Sequence, residues 1–259
     1  ADVRNPIQPR QVRRVSLRPE DLDGLVFWTR NPAPMLPRLG EIPPVPFYFQ
    51  VTLTGYGPDL EPGLPDEADR VEAIRRLADR IGPDRVVWRY DPVLLTTEHT
   101  IPRRLERFAD LSARLAGATR RCVISFLDPY RKIAGAMAAY GLSAPDEAQV
   151  MALAEGLSDI GRQRGLELRA CAEPWDLSSF GIRPSRCIDA SLLEQIGGRP
   201  LGRRRDPHQR PACGCDASVD IGAYDTCPHG CVYCYANRNR ATALRRCGTH
   251  DPDAPALGS

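Results

Sequence analysis

Short apolar runs alternate with longer amphipathic segments along most of the chain. Five of these runs are rich in β-branched and aromatic side chains, which is typical of buried strands. They cover residues 25–29, 47–53, 85–90, 121–126 and 166–170. Helices are predicted over residues 66–81, 101–117, 146–164 and 188–196. Strands that alternate with helices in this way predict parallel βαβ units.

This alternation favours an α/β protein with a full or partial (βα) TIM-type barrel. No G-x-G-x-x-G sequence follows any of the five runs, which disfavours a Rossmann domain. A further short run at residues 218–222 is interpreted as one more strand. We predict a barrel body at residues 1–174, a cysteine-rich segment at 175–240 that completes the barrel, and a polar tail at 241–259 that is partly disordered.

Polar side chains follow the predicted strands where they end, and in (βα) barrels the active site lies at those ends. Arg89, Asp91 and Glu173 are therefore candidate catalytic residues, and Asn31 and Asp128 are candidate cofactor contacts. An Asp-Pro pair after a strand also begins an ordinary turn. Arg89 and Asp91 are equally compatible with a structural ion pair at the rim, so the residues alone leave both interpretations open.

Charge and hydropathy restrict the function classes. The formal net charge is +2, which is too small to predict a nucleic-acid partner. No apolar run approaches the roughly 18 residues that span a bilayer, so no membrane association is expected. The chain does not begin with the charged and apolar blocks of a signal peptide, and we predict a cytoplasmic protein.

The cysteines concentrate the candidate chemistry in the last third of the chain. Seven of the nine lie between Cys171 and Cys234, and in a reducing compartment such cysteines more often bind metal than form disulfides. Cys227, Cys231 and Cys234 have the spacing C-x3-C-x2-C. Three thiolates from one tight loop can ligate three irons of a cubane cluster and leave the fourth iron open. Gly230 would let that loop turn tightly.

A zinc site is the alternative for this loop. Cys227, His229, Cys231 and Cys234 together offer four ligands, and zinc accepts mixed cysteine and histidine ligation. Ligands at alternate positions crowd a tetrahedron, however, so we favour the iron–sulfur cluster.

The three-cysteine sequence, with an aromatic residue before its last cysteine, resembles the cluster-binding loop of the radical S-adenosylmethionine superfamily. Other stretches resemble a bacterial family described only as a domain of unknown function, and together they span most of the chain. They are residues 27–32, 53–56, 88–92, 171–173, 187–189, 213–215 and 220–222.

The superfamily resemblance implies a 4Fe–4S cluster on Cys227, Cys231 and Cys234 that binds S-adenosylmethionine through its open iron. One electron from an external donor, such as a flavodoxin or ferredoxin, would cleave S-adenosylmethionine and yield a 5′-deoxyadenosyl radical. The radical would then abstract hydrogen from a substrate that the sequence does not name. Tyr233 would pack against the cluster.

Arg89 and Asp91 would hold the ribose or the methionyl carboxylate of S-adenosylmethionine. Glu173 would bind its amino group or the substrate, or would act from a second layer of contacts.

The position of the loop differs from that in most members of the superfamily, where it follows the first barrel strand. Here it follows residues 218–222, so we predict a permuted barrel in which this last strand takes the place of the first. The family also begins with a short strand that is missing ahead of Ala1, which implies a truncated amino terminus.

A second set of cysteines comprises Cys171, Cys187, Cys213 and Cys215. Four thiolates suffice for an auxiliary 4Fe–4S cluster or for a structural zinc ion, and both remain open. Cys122 lies within a predicted strand and is expected in the core. Cys247 is expected to have no part in either site.

A zinc-stapled nucleic-acid-binding protein without catalysis is the main competing function. Two zinc sites would favour paired C-x2-C knuckles, and only Cys231 with Cys234 forms one. A simple electron carrier needs four cysteines around its cluster, whereas the main loop has three. The radical enzyme is therefore the leading hypothesis.

Overall fold

The structure is a computed structural model that describes residues 1–5, 8, 10–251 and 253–257. The strands in these ranges are β1 (Asp2–Arg4), β2 (Val12–Arg14), β3 (Leu25–Thr29), β4 (Phe47–Thr52), β5 (Val86–Val93), β6 (Arg121–Phe126), β7 (Glu167–Ala170) and β8 (Arg183–Pro184). The α-helices are α1 (Glu67–Ile81), α2 (Ile101–Arg114), α3 (Ala134–Tyr140), α4 (Glu147–Gln163), α5 (Ala190–Gly197) and α6 (Arg240–Thr249).

Strands β3 to β8 form one parallel sheet in which the spatial order equals the chain order. The five predicted runs form β3 to β7, so the predicted parallel βαβ units are confirmed. A doubly wound sheet reverses its strand order at a switch point, and this sheet does not. β1 and β2 pair separately as a small antiparallel ribbon.

One face of the sheet carries the main hydrophobic core. Side chains alternate along each strand, and on this face Trp88 and Tyr90 of β5 pack on Phe108 of α2. The Trp88 and Phe108 rings are stacked, with centroids 4.9 Å apart. Helices α1, α2 and α4 all pack on this same face, because each presents one apolar stripe to it.

The ends of the helices follow from local sequence. Asp146 caps α4 by accepting a hydrogen bond from the backbone of Gln149, whose side chain bonds back to Asp146. Asp189 caps α5 by accepting from Leu192 at 3.3 Å, as its position before an apolar run predicts. These caps satisfy backbone donors that a helix leaves free at its first turn.

The opposite face of the sheet is partly polar. Tyr48, Val87 and Val123 pack there against Leu192 and Leu193 of α5. Nearer the carboxyl ends of the strands, the same face carries a group of polar side chains. They are Gln50, Arg89, Asp91 and Ser125. The half of this face near the amino ends of the strands is therefore apolar and covered by α5, and the half near the carboxyl ends is polar.

One prediction about the last part of the chain is wrong. Residues 218–222 form no strand; Val219 is 44% exposed, and the Asp220 side chain accepts a hydrogen bond from Gly222, a local turn that competes with a sheet ladder. The predicted partly disordered tail contains helix α6, which Asn239 caps by accepting from Thr242 at 2.8 Å.

The sheet is open, with β3 and β8 at its edges, and no closed barrel is found within the described ranges. The predicted permutation lacks its last strand, because residues 218–222 do not pair with the sheet. Among the helices that the structure describes, none combines the length and apolar character needed to cross a membrane.

Candidate functional site

The three-cysteine loop, residues 227–234, packs against the segment that follows β4. The Val232 backbone donates to the Leu60 carbonyl at 3.0 Å, and His229 Nδ1 lies 3.1 Å from the Gly63 carbonyl. Cys231 and Tyr233 share a small hydrophobic cluster with residues that follow β4, β5 and β6. The loop therefore lies over the carboxyl ends of neighbouring parallel strands, where a (βα) architecture places its active site.

Two glycines permit this close packing. A Cβ atom on Gly63 would lie 2.4 Å from the His229 carbonyl oxygen, a backbone atom that cannot move without moving the loop. Gly230 has φ of +70°, and a Cβ there would meet the Arg240 side chain at 2.6 Å. Gly230 therefore provides the tight turn that the sequence predicted.

A buried ionic network joins the loop to the sheet through Glu61, whose side chain is 1% exposed. Glu61 accepts hydrogen bonds from Thr54 at 2.7 Å and from the Tyr233 hydroxyl, and pairs with Arg30 at 2.6 Å. Arg70 lies 3.6 Å away as a second cation. Burial raises the pKa of Tyr233 well above its usual value, so the phenol remains a proton donor to Glu61.

The base of the loop is closed by short-range hydrogen bonds. Asn237 donates from Nδ2 to the Cys227 carbonyl at 2.7 Å, and the Asp225 backbone donates to the Ala236 carbonyl at 3.1 Å. Arg246 of α6 donates to the Tyr224 carbonyl at 3.0 Å. Helix α6 thus helps to hold the base of the loop.

The three thiols lie close enough to interact electrostatically, and they come from one well-anchored loop. Burial raises the pKa of Cys231 to about 12 and also raises that of Cys227, whereas Arg30 acts in the opposite direction on both. A metal that binds here must therefore displace protons, as metals do at cysteine sites. Three thiols within eight residues fit a cluster ligated at three corners.

Arg89 and Asp91 form a buried ion pair on the polar face of the sheet. Arg89 Nε donates to Asp91 at 2.8 Å, and Arg89 Nη1 donates to Gln50 at 2.7 Å. Burial opposes the charge of Asp91, but Arg89 and the Ser125 hydroxyl hold its pKa below the usual value. Tyr235, just past the three-cysteine loop, lies within electrostatic range of Asp91 and Arg89. The pair thus lies beside the loop.

The second set of cysteines, Cys171, Cys187, Cys213 and Cys215, is brought together around Ala172 at one end of the polar face. Cys187 also contacts Arg89. The second set therefore contacts the Arg89–Asp91 pair through Cys187. Cys122 is fully buried in β6, as predicted, and Cys247 is exposed on α6.

The other predicted site residues lie in different kinds of surroundings. Glu173 accepts a hydrogen bond from the Phe126 backbone at 2.9 Å, and burial raises its pKa to about 7. Asp128 pairs with Arg210 at 2.7 Å on a partly exposed rim. The side-chain oxygen of Asn31 accepts a hydrogen bond from the Ala33 backbone at 3.1 Å, where a 3-10 helix begins. Asn31 therefore has a local structural role.

In the ranges that the structure describes, no three His, Cys, Asp or Glu side chains are arranged so that they could hold a metal ion as they stand. This holds for the three thiols of the loop as much as for the four-ligand set of the zinc alternative. The Nδ1 atom of His229 instead faces the Gly63 carbonyl.

Sequence reasoning missed Arg30, Glu61 and Gly63, the residues that dock the loop. Residues 54–65 are rich in glycine and proline, which is typical of a loop, but no periodicity distinguishes one carboxylate within them. Arg30 stands next to the predicted Asn31, and its position after a strand was the available signal.

The fold and the site define an α/β protein in which a cysteine-rich segment packs on the carboxyl edge of a parallel sheet. The family described as Domain of unknown function (DUF1848) matches residues 1–236, and the chain belongs to that family. No curated protein and no solved structure matches the chain.

Proposed function

We propose that the protein is a radical S-adenosylmethionine enzyme whose 4Fe–4S cluster is ligated by Cys227, Cys231 and Cys234. When bound and reduced, such a cluster supplies one electron that cleaves S-adenosylmethionine into methionine and a 5′-deoxyadenosyl radical, which takes a hydrogen atom from the substrate. The electron donor would be an external flavodoxin or ferredoxin. The cytoplasmic location stays a prediction.

The observation that carries this proposal is the anchoring of the three-cysteine loop. Glu61, Gly63 and α6 hold the loop, and all of these contacts use residues other than the three cysteines. The thiols are thus left available for a cluster. An anchored loop also excludes water from one side of the cluster, which a reactive radical requires.

The neighbouring residues are assigned roles from their contacts. Arg89 and Asp91 are proposed to hold the ribose or methionyl carboxylate, because they are the buried charged pair beside Tyr235. Glu173 is proposed to meet the amino group or the substrate. Asp128 retains a proposed cofactor contact at the partly exposed rim. Tyr233 serves the cluster indirectly by tying the loop to Glu61.

We further propose that the sheet is the wall of an incomplete (βα) barrel. Its strands follow in chain order, and helices α1, α2 and α4 cover only one face. In a barrel the face away from the outer helices points inward; here that face carries the Arg89–Asp91 pair and Cys171, and α5 covers only its half near the amino ends of the strands.

The test is to purify the protein without oxygen, reconstitute it with iron and sulfide, and add S-adenosylmethionine and dithionite. We expect 5′-deoxyadenosine from the wild type and from the control Glu41→Gln, since Glu41 is exposed and pairs with Arg38. Cys227→Ala, Cys231→Ala and Cys234→Ala should each abolish the product, because each removes one of the three ligands. Product that persists in a folded Cys231→Ala variant would refute the proposal.

A further inference from the structure

The second cysteine set is assembled from three separate parts of the chain. Cys171 follows β7, Cys187 follows β8, and Cys213 and Cys215 lie in residues 203–216. The sulfurs of Cys171 and Cys187 are 3.2 Å apart, and the Cys187 backbone donates to the Cys215 sulfur at 3.2 Å. The Cys215 thiol is also within hydrogen-bonding range of Cys213. All four thiols therefore form one continuous group.

The segment that carries two of these cysteines is also held by Asp216, which accepts from the Ala190 backbone at 2.9 Å, and by Arg210, which pairs with Asp128 at 2.7 Å. Residues 203–216 contain one isolated β-bridge, between Arg205 and Asp216, and no helix or strand. Their buried residues are Cys213, Cys215 and Asp216. The segment thus docks through its cysteines, Asp216 and Arg210, and apolar packing of two small thiols contributes little to that docking.

Arginine side chains lie around the four thiols, and the carboxylates of Asp91 and Glu173 are also within electrostatic range of Cys171. Arg89 Nη1 lies 3.0 Å from the Cys187 sulfur, while its other nitrogens bind Asp91. Arg205 donates to the Cys213 carbonyl at 3.3 Å, and Arg210 lies within electrostatic range of Cys171. Nearby cations stabilise neutral thiols only slightly. A metal held by four thiolates is a net anion, and hydrogen bonds to its sulfurs stabilise it.

We propose that Cys171, Cys187, Cys213 and Cys215 ligate a metal through four thiolates, at a centre separate from the three-cysteine loop. Arg89 would be its outer hydrogen-bond donor through the Cys187 sulfur. The thiols now contact one another as protonated thiols do, so binding requires rotation about their Cα–Cβ bonds and loss of their protons. The centre would fasten residues 203–216 to the sheet beside Arg89.

Four thiolates suit a tetrahedral zinc ion and a cubane iron–sulfur cluster alike. Metal analysis distinguishes the two, because zinc gives about one ion and no sulfide per chain, whereas a cubane gives about four irons with matching sulfide. No residue of the three-cysteine loop is a ligand here, so this proposal stands independently of the proposed function.

The test begins with the full-length triple variant Cys227→Ala/Cys231→Ala/Cys234→Ala, purified without oxygen and checked for folding by circular dichroism. We expect it to retain the zinc or the iron of the second centre. Adding Cys213→Ala and Cys215→Ala to this variant should remove that metal completely. A folded triple variant that binds no metal after reconstitution, or one whose metal survives the two added substitutions, would overturn the proposal.

A second comparison covers the case in which the triple variant does not fold. Cys213→Ala/Cys215→Ala in the otherwise wild-type chain should lose the metal of one centre, while the exposed-site control Glu41→Gln keeps the full wild-type content. Unchanged metal in the double variant would contradict the proposal. So would wild-type protein whose mass under denaturing, non-reducing conditions shows a Cys171–Cys187 disulfide in place of a metal.

Discussion

Glu61 is the residue on which docking of the three-cysteine loop depends most. It lies between Arg30 and Arg70 and accepts the Tyr233 hydroxyl, although Tyr233 is 172 residues away in the chain. Its Oε2 atom has no hydrogen-bond partner among the described residues. A buried carboxylate in such a setting stabilises the folded state mainly by neutralising its cationic neighbours, which would otherwise be buried without a counter-charge.

Glu61→Gln should therefore destabilise the protein strongly. The amide keeps the size of the side chain but leaves Arg30 and Arg70 without their anion, and breaking a buried pair in this way costs about 3 kcal/mol or more. Urea unfolding without oxygen measures the free energy of unfolding directly.

The matched control for this change is Glu41→Gln. Glu41 pairs with Arg38 at 2.7 Å, but both side chains are more than 60% exposed, so solvent screens the pair. We expect no measurable change in the control. Equal stability of the Glu61→Gln variant and the wild type would show that the buried network does not hold the loop.

Gly63→Ala tests the close approach of the two loops. The new Cβ would lie 2.4 Å from the His229 carbonyl oxygen, and overpacking of this kind costs about 2 kcal/mol. The sheet should stay folded, while a chelator should remove loop-bound iron faster than from the wild type. Gly40→Ala is the control, because nothing lies within 4 Å of the position of its Cβ. Identical iron retention in both variants would argue against loop-to-loop packing.

At the scale of elements, the helices are tied to one another by charge as well as by the core. Glu67, in the first turn of α1, pairs with Arg107 at 2.6 Å and with Arg114 at 2.5 Å on α2. Burial opposes the charge of Glu67, but the two arginines hold its pKa below the usual value of 4.5. A lowered pKa means that the folded state favours the carboxylate over the acid.

Glu67→Gln should cost about 1 kcal/mol at pH 7, because the variant loses both ion pairs. The stabilisation by Glu67 is fully present above the pKa of the unfolded chain and is lost as the pH falls through the lower pKa of the folded state. The difference between the variant and the wild type should therefore shrink below about pH 4.5. Urea unfolding between pH 3 and 7 measures this difference in the free energy of unfolding.

Glu72→Gln serves as the control for this pH series. Glu72 is exposed on the same helix, so its variant should follow the wild type at every pH. A stability difference for Glu67→Gln that does not change with pH would mean that packing, and not charge, joins α1 to α2.

Elements with strong periodicity were predictable, and those that depend on distant contacts were not. The strands β3 to β7 and helices α1, α2, α4 and α5 follow local apolar patterns that bury one face. Residues 218–222 have apolar side chains at alternate positions, but Val219 is 44% exposed and the segment pairs with no strand. Helix α6 is polar, and it forms with only Ala243 fully buried, because Asn239 caps it and Arg246 reaches the base of the loop.

For the molecule as a whole, composition and alternation predicted a parallel α/β protein correctly. Closure of the sheet was not predictable, because it depends on which residues pair with the edge strands β3 and β8. The convergence of Cys171, Cys187, Cys213 and Cys215 was expected from their number and type. The contact of this set with Arg89 is a long-range one that the sequence did not indicate.

The most direct test of the central claim is electron paramagnetic resonance of the dithionite-reduced protein with and without S-adenosylmethionine. A cluster with three protein ligands has an open iron, so its spectrum should change when S-adenosylmethionine is added, in the wild type and in Cys213→Ala/Cys215→Ala alike. A spectrum that does not respond, or one that still responds after Cys227, Cys231 and Cys234 have all been replaced by alanine, would contradict the account.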